Sequence, residues 1–263
     1  MNDTLNQSME TPPPKPTKLV PWHPLLAILL VVLLYFVASF LAGLIIAAVP
    51  LALGWSVDRI NTELSNSTAW QFSYVLSVEV ITLGGLALFL RQFKTSWKVI
   101  GLKRPRLKDV GIGALAYPVY FVAFLALVLV APHFLPGLNL DQEQELGFDN
   151  VAGALPLILT FLSLVVLPPI VEEIVFRGFL FTSMRRWSGF LVAALITSFI
   201  FALFHLPEGG SSGPLYIAAL DTFILSLVLC YVREKTGSLW ASITLHAIKN
   251  GVAYASLFIF TAH

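Results

Sequence analysis

The sequence predicts an all-α fold, a polytopic transmembrane helical bundle of about seven spans. Three observations predict it. The chain of 263 residues is 57% hydrophobic and only 12% charged, and that charged fraction is about half of what a soluble domain carries. Its apolar residues gather into seven runs of roughly the 20 residues that cross a bilayer as a helix. The loops between these runs alternate in charge, as the loops of a multispanning protein do.

The elements follow in order along the chain. Residues 1–24 are polar and rich in proline, which predicts a disordered cytoplasmic tail. Apolar runs then predict spans near residues 25–53, 70–90, 110–131, 151–176, 189–206, 214–232 and 239–260. Proline removes a backbone donor and kinks or restarts a helix, so we expect a break at Pro50 and a bend or a new helix start at Pro168 and Pro169. We group the spans into N-terminal transmembrane helices, 25–147, and a C-terminal catalytic domain, 148–260.

Loop charge predicts how the bundle is oriented. Segment 91–109 is basic, with Asp109 as its one acidic residue, whereas segment 132–150 carries four acidic residues and no Lys or Arg. Short cytoplasmic loops accumulate Lys and Arg. Arg185 with Arg186, and Arg233 with Lys235, mark the next basic turns in the same alternation. The sequence therefore predicts a cytoplasmic N-terminus and an external C-terminus.

Composition also excludes some classes of function. The formal net charge is +1, which argues against a nucleic-acid partner because phosphate binding needs a dense Lys and Arg surface. The single cysteine, Cys230, lies in an apolar run, and a lone cysteine forms no disulfide framework. The partners that remain are membrane lipids and whatever substrate or protein enters the bundle.

Charged residues inside or directly beside the predicted spans are the candidates for function, because a charge at bilayer depth costs at least a few kcal/mol. Glu172 and Glu173 are adjacent in the stretch VEEIVFRGF. Glu173 and Arg177 are four residues apart and share a helix face, so they can pair. Glu172 is rotated by about 100° from Glu173 and points to a different neighbour. We therefore assign Glu173 and Arg177 a supporting role and Glu172 the reactive one.

Two histidines and an amide enlarge this cluster. His205 closes the run FALFH, and His246 precedes Asn250 by four residues on one face of the last span. A carboxyl group in a low-dielectric pocket is suited to act as a general base near neutral pH, and an amide N–H can donate to a developing oxyanion. Two imidazoles and one carboxylate would also make a three-ligand zinc set with an open fourth position. The spacing of these residues is compatible with both hypotheses, a metal-free general base and a zinc site.

Three motifs in this order carry a family resemblance. EEIVFR at 172–177, FALFH at 201–205 and HAIKN at 246–250, together with TGSLWAS at 236–242, resemble the CAAX protease and bacteriocin-processing (CPBP) family of intramembrane endopeptidases. The resemblance covers roughly residues 150–255. It implies hydrolysis of a peptide bond within or at the surface of the membrane.

The resemblance also implies roles for individual residues. Glu172 corresponds to the glutamate that activates a water molecule, and His205 to the histidine that assists it. His246 and Asn250 correspond to the residues that stabilise the tetrahedral oxyanion. Glu173 and Arg177 match the second glutamate and the arginine of the motif, in agreement with the helix-face argument.

Cofactor and substrate follow from the same resemblance. Such enzymes are described both as metal-dependent and as acting through a metal-free glutamate. Glu172, His205 and His246 would be the ligands of a zinc ion, but they lack the local His spacing of a zincin, which favours Glu172 as the base. The implied substrate is a membrane-associated peptide or a lipidated, CAAX-type protein. The implied location is the plasma membrane of a bacterium.

Alternative functions and unexplained residues remain. A non-catalytic membrane protein with the same fold could act in immunity or as a scaffold, and buried carboxylates and histidines also mark transporters or proton relays. Glu79, Asp221 and Lys249 lie in spans without an assigned role, and we expect Lys249 to pair with Asp221 or Glu79. The predicted span ends place His205 about 10 Å or more from Glu172 in depth. Catalysis nevertheless requires residues 172, 205, 246 and 250 to meet around one wet pocket.

Overall fold

The computed structural model describes residues 20–134, 138–140, 142, 144–148 and 151–260, except for the side chains of residues 209, 211 and 212. Within these ranges the chain forms eight helices and no strand. They are α1 (Pro24–Ala52), α2 (Val57–Asn66), α3 (Thr68–Gln92), α4 (Leu107–Phe134), α5 (Ala154–Arg185), α6 (Phe190–Leu203), α7 (Tyr216–Thr236) and α8 (Leu239–Phe260). A 3₁₀ turn, Leu206–Ser212, follows α6.

The predicted fold class is confirmed. In the part of the chain that the structure describes, seven helices are long and apolar enough to cross a membrane, if α6 is counted together with the turn that follows it as Phe190–Glu208. The remaining helix, α2, is a short amphipathic helix between the first two spans. The largest difference from the expected span ends is in α5, which continues to Arg185 rather than stopping near residue 176. A hydropathy reading ends early there because Arg177 and Gly178 interrupt the apolar run.

Two π-helical segments interrupt α5. The first is Leu162–Val166 and the second is Glu173–Leu180, with one α-helical stretch, Leu167–Glu172, between them. Pro168 and Pro169 lie in the first turn of that stretch, so the new helix start expected at these prolines is present as a return to α-helical geometry, and the helix continues from the preceding π segment. The break expected at Pro50 is absent, because Pro50 lies in the last turn of a continuous α1.

An aromatic cluster fixes the N-terminal segment to the C-terminal part of α5. The Trp22 ring lies 5.2 Å from that of Phe89 and 5.1 Å from that of Phe179, measured between ring centroids. Its indole N–H donates to Ser183 Oγ at 2.7 Å. Of the predicted disordered tail, residues 1–19 lie outside the described ranges. Residues 20–24 pack against the bundle, with Val20 and Trp22 buried.

Helices α4 and α8 approach closely at Gly113. A Cβ atom on this glycine would lie 2.4 Å from the carbonyl oxygen of Ala241 and 2.7 Å from Cβ of Thr244. Tyr120, two turns further along α4, packs with Leu225 and Leu245 of the neighbouring helices in a second apolar cluster. The small residue lets α4 lie against α7 and α8, which carry part of the candidate site.

The basic loops meet at one end of the bundle. Arg186 donates to the carbonyl of Trp22 at 2.9 Å, and Arg185 pairs with Glu234 at 2.8 Å. On the same side, the Trp240 indole donates to the carbonyl of Lys103 at 2.5 Å. The sequence predicts that this basic end faces the cytoplasm, and that orientation stays a prediction.

Candidate active site

The two adjacent carboxylates lie where α5 changes its helical pitch. Glu172 ends the α-helical stretch, and Glu173 begins the second π segment. A π segment inserts an extra residue per turn and is frequently found at functional sites. The change of pitch separates the directions of the two side chains, so that Glu173 is buried in the bundle while Glu172 lines a cavity.

Glu173 is the centre of a buried ion cluster. Its Oε1 atom lies 2.9 Å from Nη1 of Arg177 and 3.0 Å from Nδ1 of His246, and both Glu173 and Arg177 have 0% exposed side chains. The guanidinium carbon of Arg177 also lies 4.3 Å from the ring centroid of Phe201. The pairing of Glu173 with Arg177 expected from their spacing is therefore present, and His246 joins it from α8.

His246 links this cluster to Glu172. A carboxylate held by Arg177 can only accept, so Nδ1 of His246 carries the hydrogen in its contact with Glu173. In the neutral ring Nε2 is then an acceptor, and it lies 3.8 Å from Oε2 of Glu172. That oxygen is buried and makes no hydrogen bond to any described residue. The separation is too long for a direct hydrogen bond and suits a water molecule that contacts both atoms.

His205 lies just beyond the end of α6 and lines the same cavity. Its Nδ1 atom is 2.8 Å from the carbonyl oxygen of Phe201, and because a carbonyl only accepts, Nδ1 is the donor. Nε2 of the neutral ring is left as an acceptor, 3.9 Å from Oε1 of Glu208. The contact to Phe201 thus fixes both the tautomer and the orientation of the imidazole.

Asn250 follows His246 by one turn of α8. Its Nδ2 atom donates to the carbonyl of Leu164 at 2.9 Å, and Leu164 lies in the first π segment of α5. An amide NH₂ group carries two hydrogens, so one N–H holds the side chain in place and the second remains for a ligand. The π segment therefore orients a residue that the sequence singled out.

The four residues line one cavity of about 430 Å³. Glu172 comes from α5, His205 from the end of α6, and His246 and Asn250 from α8. Side chains of α1, α3 and α7 and residues 144–148 complete its wall. The convergence required of residues 172, 205, 246 and 250 is present. Glu172 and His205 line this cavity together despite the difference in depth expected from the predicted span ends, and the extension of α5 to Arg185 places Glu172 near the middle of its span.

Several cavity residues had no role assigned from the sequence. Lys249 Nζ lies 3.1 Å from Asp221 Oδ2, and the Tyr120 hydroxyl donates to Asp221 Oδ1 at 2.5 Å. Lys249 is thus paired with Asp221, one of the two expected partners. Glu208 and Tyr120 were missed. The position of Glu208, three residues after His205, is a local signal, whereas Tyr120 reaches Asp221 only through the packing of α4 on α7.

The alternative hypothesis for the polar cluster of the site was that it binds a metal ion. Among the residues that the structure describes, no three His, Cys, Asp or Glu side chains are placed to hold one metal ion. Glu172, His205 and His246, the set expected for zinc, line one cavity but do not form such a group.

Comparison with curated proteins gives three bacterial relatives. "Putative membrane peptidase YdiL" of Bacillus subtilis is 26% identical over 152 residues, which cover 57% of this chain and 58% of that protein. An uncharacterized 24.3 kDa protein of Escherichia coli is 30% identical over 52% of this chain and 57% of its own length. The UPF0177 protein YxdF of Lactococcus lactis is 31% identical over 41% and 55%. The chain thus spans less than three fifths of each relative.

Comparison with family models matches one segment of the chain, and comparison with solved structures gives no match. Residues 154–252, which contain Glu172, His205, His246 and Asn250, match the family model of the Rce1-like type II CAAX prenyl endopeptidases. The resemblance predicted from the three motifs is confirmed over this segment, which is similar to the Rce1-like endopeptidases.

Proposed function

We propose that the protein is an intramembrane endopeptidase that hydrolyses a peptide bond through a glutamate-activated water molecule. The observation that carries this proposal is the meeting of Glu172, His205, His246 and Asn250 around one cavity, within the segment that matches the Rce1-like model. The cavity is lined mainly by helices of spanning length, and polar groups at bilayer depth are tolerated where they line such a cavity.

In the proposed reaction Glu172 takes a proton from water while the water oxygen attacks the scissile carbonyl carbon. Nε2 of His205 accepts a hydrogen bond from the same water and aligns it. The carbonyl oxygen becomes an oxyanion, which the free N–H of Asn250 stabilises. His246 assists there when its Nε2 carries a proton. Glu172 then gives its proton to the leaving amine as the carbon–nitrogen bond breaks, and two peptides result.

The second carboxylate and the arginine hold this arrangement. Glu173 and Arg177 are fully buried and contact each other and His246. In the proposal they orient the His246 ring and do not touch the substrate. This division explains why two adjacent glutamates can differ in role: one faces the cavity and the other is neutralised inside the bundle.

Location and substrate class belong to the same proposal. Basic residues at one end of the bundle support a cytoplasmic N-terminus, and the bacterial relatives support a plasma-membrane location. The proposed substrate is a membrane-associated peptide or a prenylated, CAAX-type protein. Lipids surround the spans, and no nucleic acid takes part.

Cleavage-site proteomics on membranes tests the function. Membranes that contain the wild-type protein, the Glu172→Gln variant or the Glu63→Gln variant are compared, each with and without a metal chelator. We expect new peptide termini with the wild type and with Glu63→Gln, which alters a glutamate of α2 outside the cavity. We expect none with Glu172→Gln, and no effect of the chelator.

Other outcomes separate the alternatives. The same new peptide termini in wild-type and Glu172→Gln membranes would refute the assignment of Glu172 as the base. A Glu172→Gln variant that still supports the wild-type phenotype of the host would instead favour a non-catalytic immunity or scaffold protein. Loss of cleavage in chelator, restored by zinc, would make the cavity a metal site.

A further inference from the structure

The cavity is lined by an excess of acidic side chains. Five carboxylates line it, while Lys249 is the one Lys or Arg among the described residues of its wall. The carboxylates are those of Glu79, Glu145, Glu172, Glu208 and Asp221. Lys249 is neutralised by Asp221 at 3.1 Å. A cleft of one charge sign, with low-dielectric walls, concentrates ligands of the opposite sign.

Besides Asp221, two of these carboxylates already have a role in the site. Oε2 of Glu208 accepts from Nε2 of Gln144 at 2.6 Å, and its Oε1 lies 3.9 Å from Nε2 of His205. Glu172 is the base of the proposed reaction. Neither group is free to neutralise a charge brought in by a substrate without disturbing the catalytic residues.

Glu79 differs from both. It lies near the middle of α3, is half-buried, and lines the cavity. It makes no hydrogen bond or ion pair with any residue that the structure describes. An ionisable side chain at bilayer depth is costly and is normally paired with a partner or placed on a substrate path. Its missing partner is therefore expected to arrive with the ligand.

Ser163 supplies an independent sign of a ligand. This residue of the first π segment lines the same cavity, is 1% exposed, and its hydroxyl has no hydrogen-bond partner among the described residues. Four other buried hydroxyls also lack a described partner, those of Thr160, Thr197, Ser198 and Ser226, and of these five Ser163 alone lines the cavity. Leu164, the next residue, accepts from Asn250, so Ser163 adjoins the catalytic amide. A peptide group bound beside Asn250 would offer the hydroxyl a partner.

We propose that Glu79 is a specificity residue that binds a positively charged group of the peptide substrate, with Ser163 contacting the substrate backbone nearby. The proposal rests on the proposed peptidase function and names the substrate class: a peptide that carries a Lys, an Arg or a free amino terminus close to the scissile bond. A charge-assisted hydrogen bond contributes about 1.5–3 kcal/mol, which corresponds to about 10- to 100-fold in kcat/KM.

Peptide-library cleavage by the purified full-length protein in phospholipid nanodiscs tests it. A proteome-derived library with acetylated amino termini and a second with free amino termini are digested, and cleavage sites are read by mass spectrometry. We expect Lys and Arg to be enriched at one position near the cleaved bond. Enrichment confined to sites beside a free amino terminus would identify the terminal amine as the bound group.

Variants assign the preference to Glu79. Glu79→Gln is expected to lower kcat/KM for a cationic peptide by about 10- to 100-fold, and to leave the same peptide with Lys replaced by Gln unaffected. Glu79→Lys is expected to shift the preference to acidic residues. Glu63→Gln should match the wild type. Glu79→Gln should also unfold no earlier than the wild type, since it removes an unpaired charge.

The possible failures are distinguishable. Cleavage that Glu172→Gln leaves intact, or a library that the wild type does not cleave, would overturn the proposed function and this inference with it. Cleavage that depends on Glu172 but shows no cationic preference, or a preference that Glu79→Gln and Glu79→Lys both retain, would overturn the inference about Glu79 alone.

Discussion

Individual residues were predictable where the relevant contact is local. Glu173 and Arg177 share a helix face at four-residue spacing, and the structure pairs them at 2.9 Å. The contact of His246 with Glu173 could not be derived from spacing, because it joins α8 to α5 and depends on how the helices pack. The same holds for Lys249 and Asp221, for which the sequence offered two partners and the structure selects one.

Removing one member of the buried ion cluster should destabilise the protein. Arg177→Gln leaves the carboxylate of Glu173 buried without its cation, and breaking such a pair costs about 3–5 kcal/mol. We expect a lower unfolding midpoint in detergent. The double variant Glu173→Gln/Arg177→Gln should recover part of the loss, since no unpaired charge remains. A single variant as stable as the wild type would exclude this role for the pair.

His205 should matter for catalysis without holding the fold. Its side chain is partly exposed to the cavity, and among the described residues its ring makes one hydrogen bond, to the carbonyl of Phe201. We expect His205→Ala to lower kcat by about 100-fold, the usual cost of misplacing a reacting group, with an unchanged unfolding midpoint. Normal turnover in this variant would contradict the assignment.

The spanning helices were predicted in number and type, but less well at their ends and in their irregularities, and the short helix α2 was missed. Long apolar runs identified the seven spans. The end of α5 was predicted nine residues too early. A charged residue such as Arg177 indicates the end of a span unless its buried partner, here Glu173, is known. Its two π segments left no sequence signal beyond Pro168 and Pro169, although they orient both Glu172 and Asn250.

The contact between α4 and α8 gives a prediction at this scale. Gly113→Ala places a methyl group 2.4 Å from a backbone oxygen of α8, so the helices must separate, at a cost of about 1–3 kcal/mol. Gly111→Ala is the matched control: a Cβ there meets nothing within 4 Å, and the better helix former should leave stability unchanged or raise it slightly. Equal unfolding midpoints for the two variants would refute the close approach.

The whole molecule combines a basic end with an acidic catalytic cavity. Basic loops near α1, α5 and α7 meet at one end, while residues 144–148 and Glu208 border the cavity towards the other. The loop alternation predicted which loops share an end. The cavity could not be predicted as a shape, because it is formed by residues from five helices, from the turn after α6 and from the loop residues 144–148.

Orientation can be tested with single cysteines, because Cys230 is the one native cysteine and is fully buried. In intact cells a membrane-impermeant maleimide should label Ser65→Cys, which lies at the external end of α2 in the predicted topology. It should label Arg104→Cys in the basic loop only after the cells are opened. The reverse pattern would invert the topology.

Hydrolysis in ¹⁸O-labelled water most directly tests the claim that Glu172 activates water in this cavity. The peptide cleaved fastest in the library is incubated with the purified protein, and the new carboxyl terminus is analysed by mass spectrometry. The account predicts one ¹⁸O atom in that carboxyl group with the wild type and no product with Glu172→Gln. Products without ¹⁸O, or equal ¹⁸O-labelled product from Glu172→Gln, would contradict it.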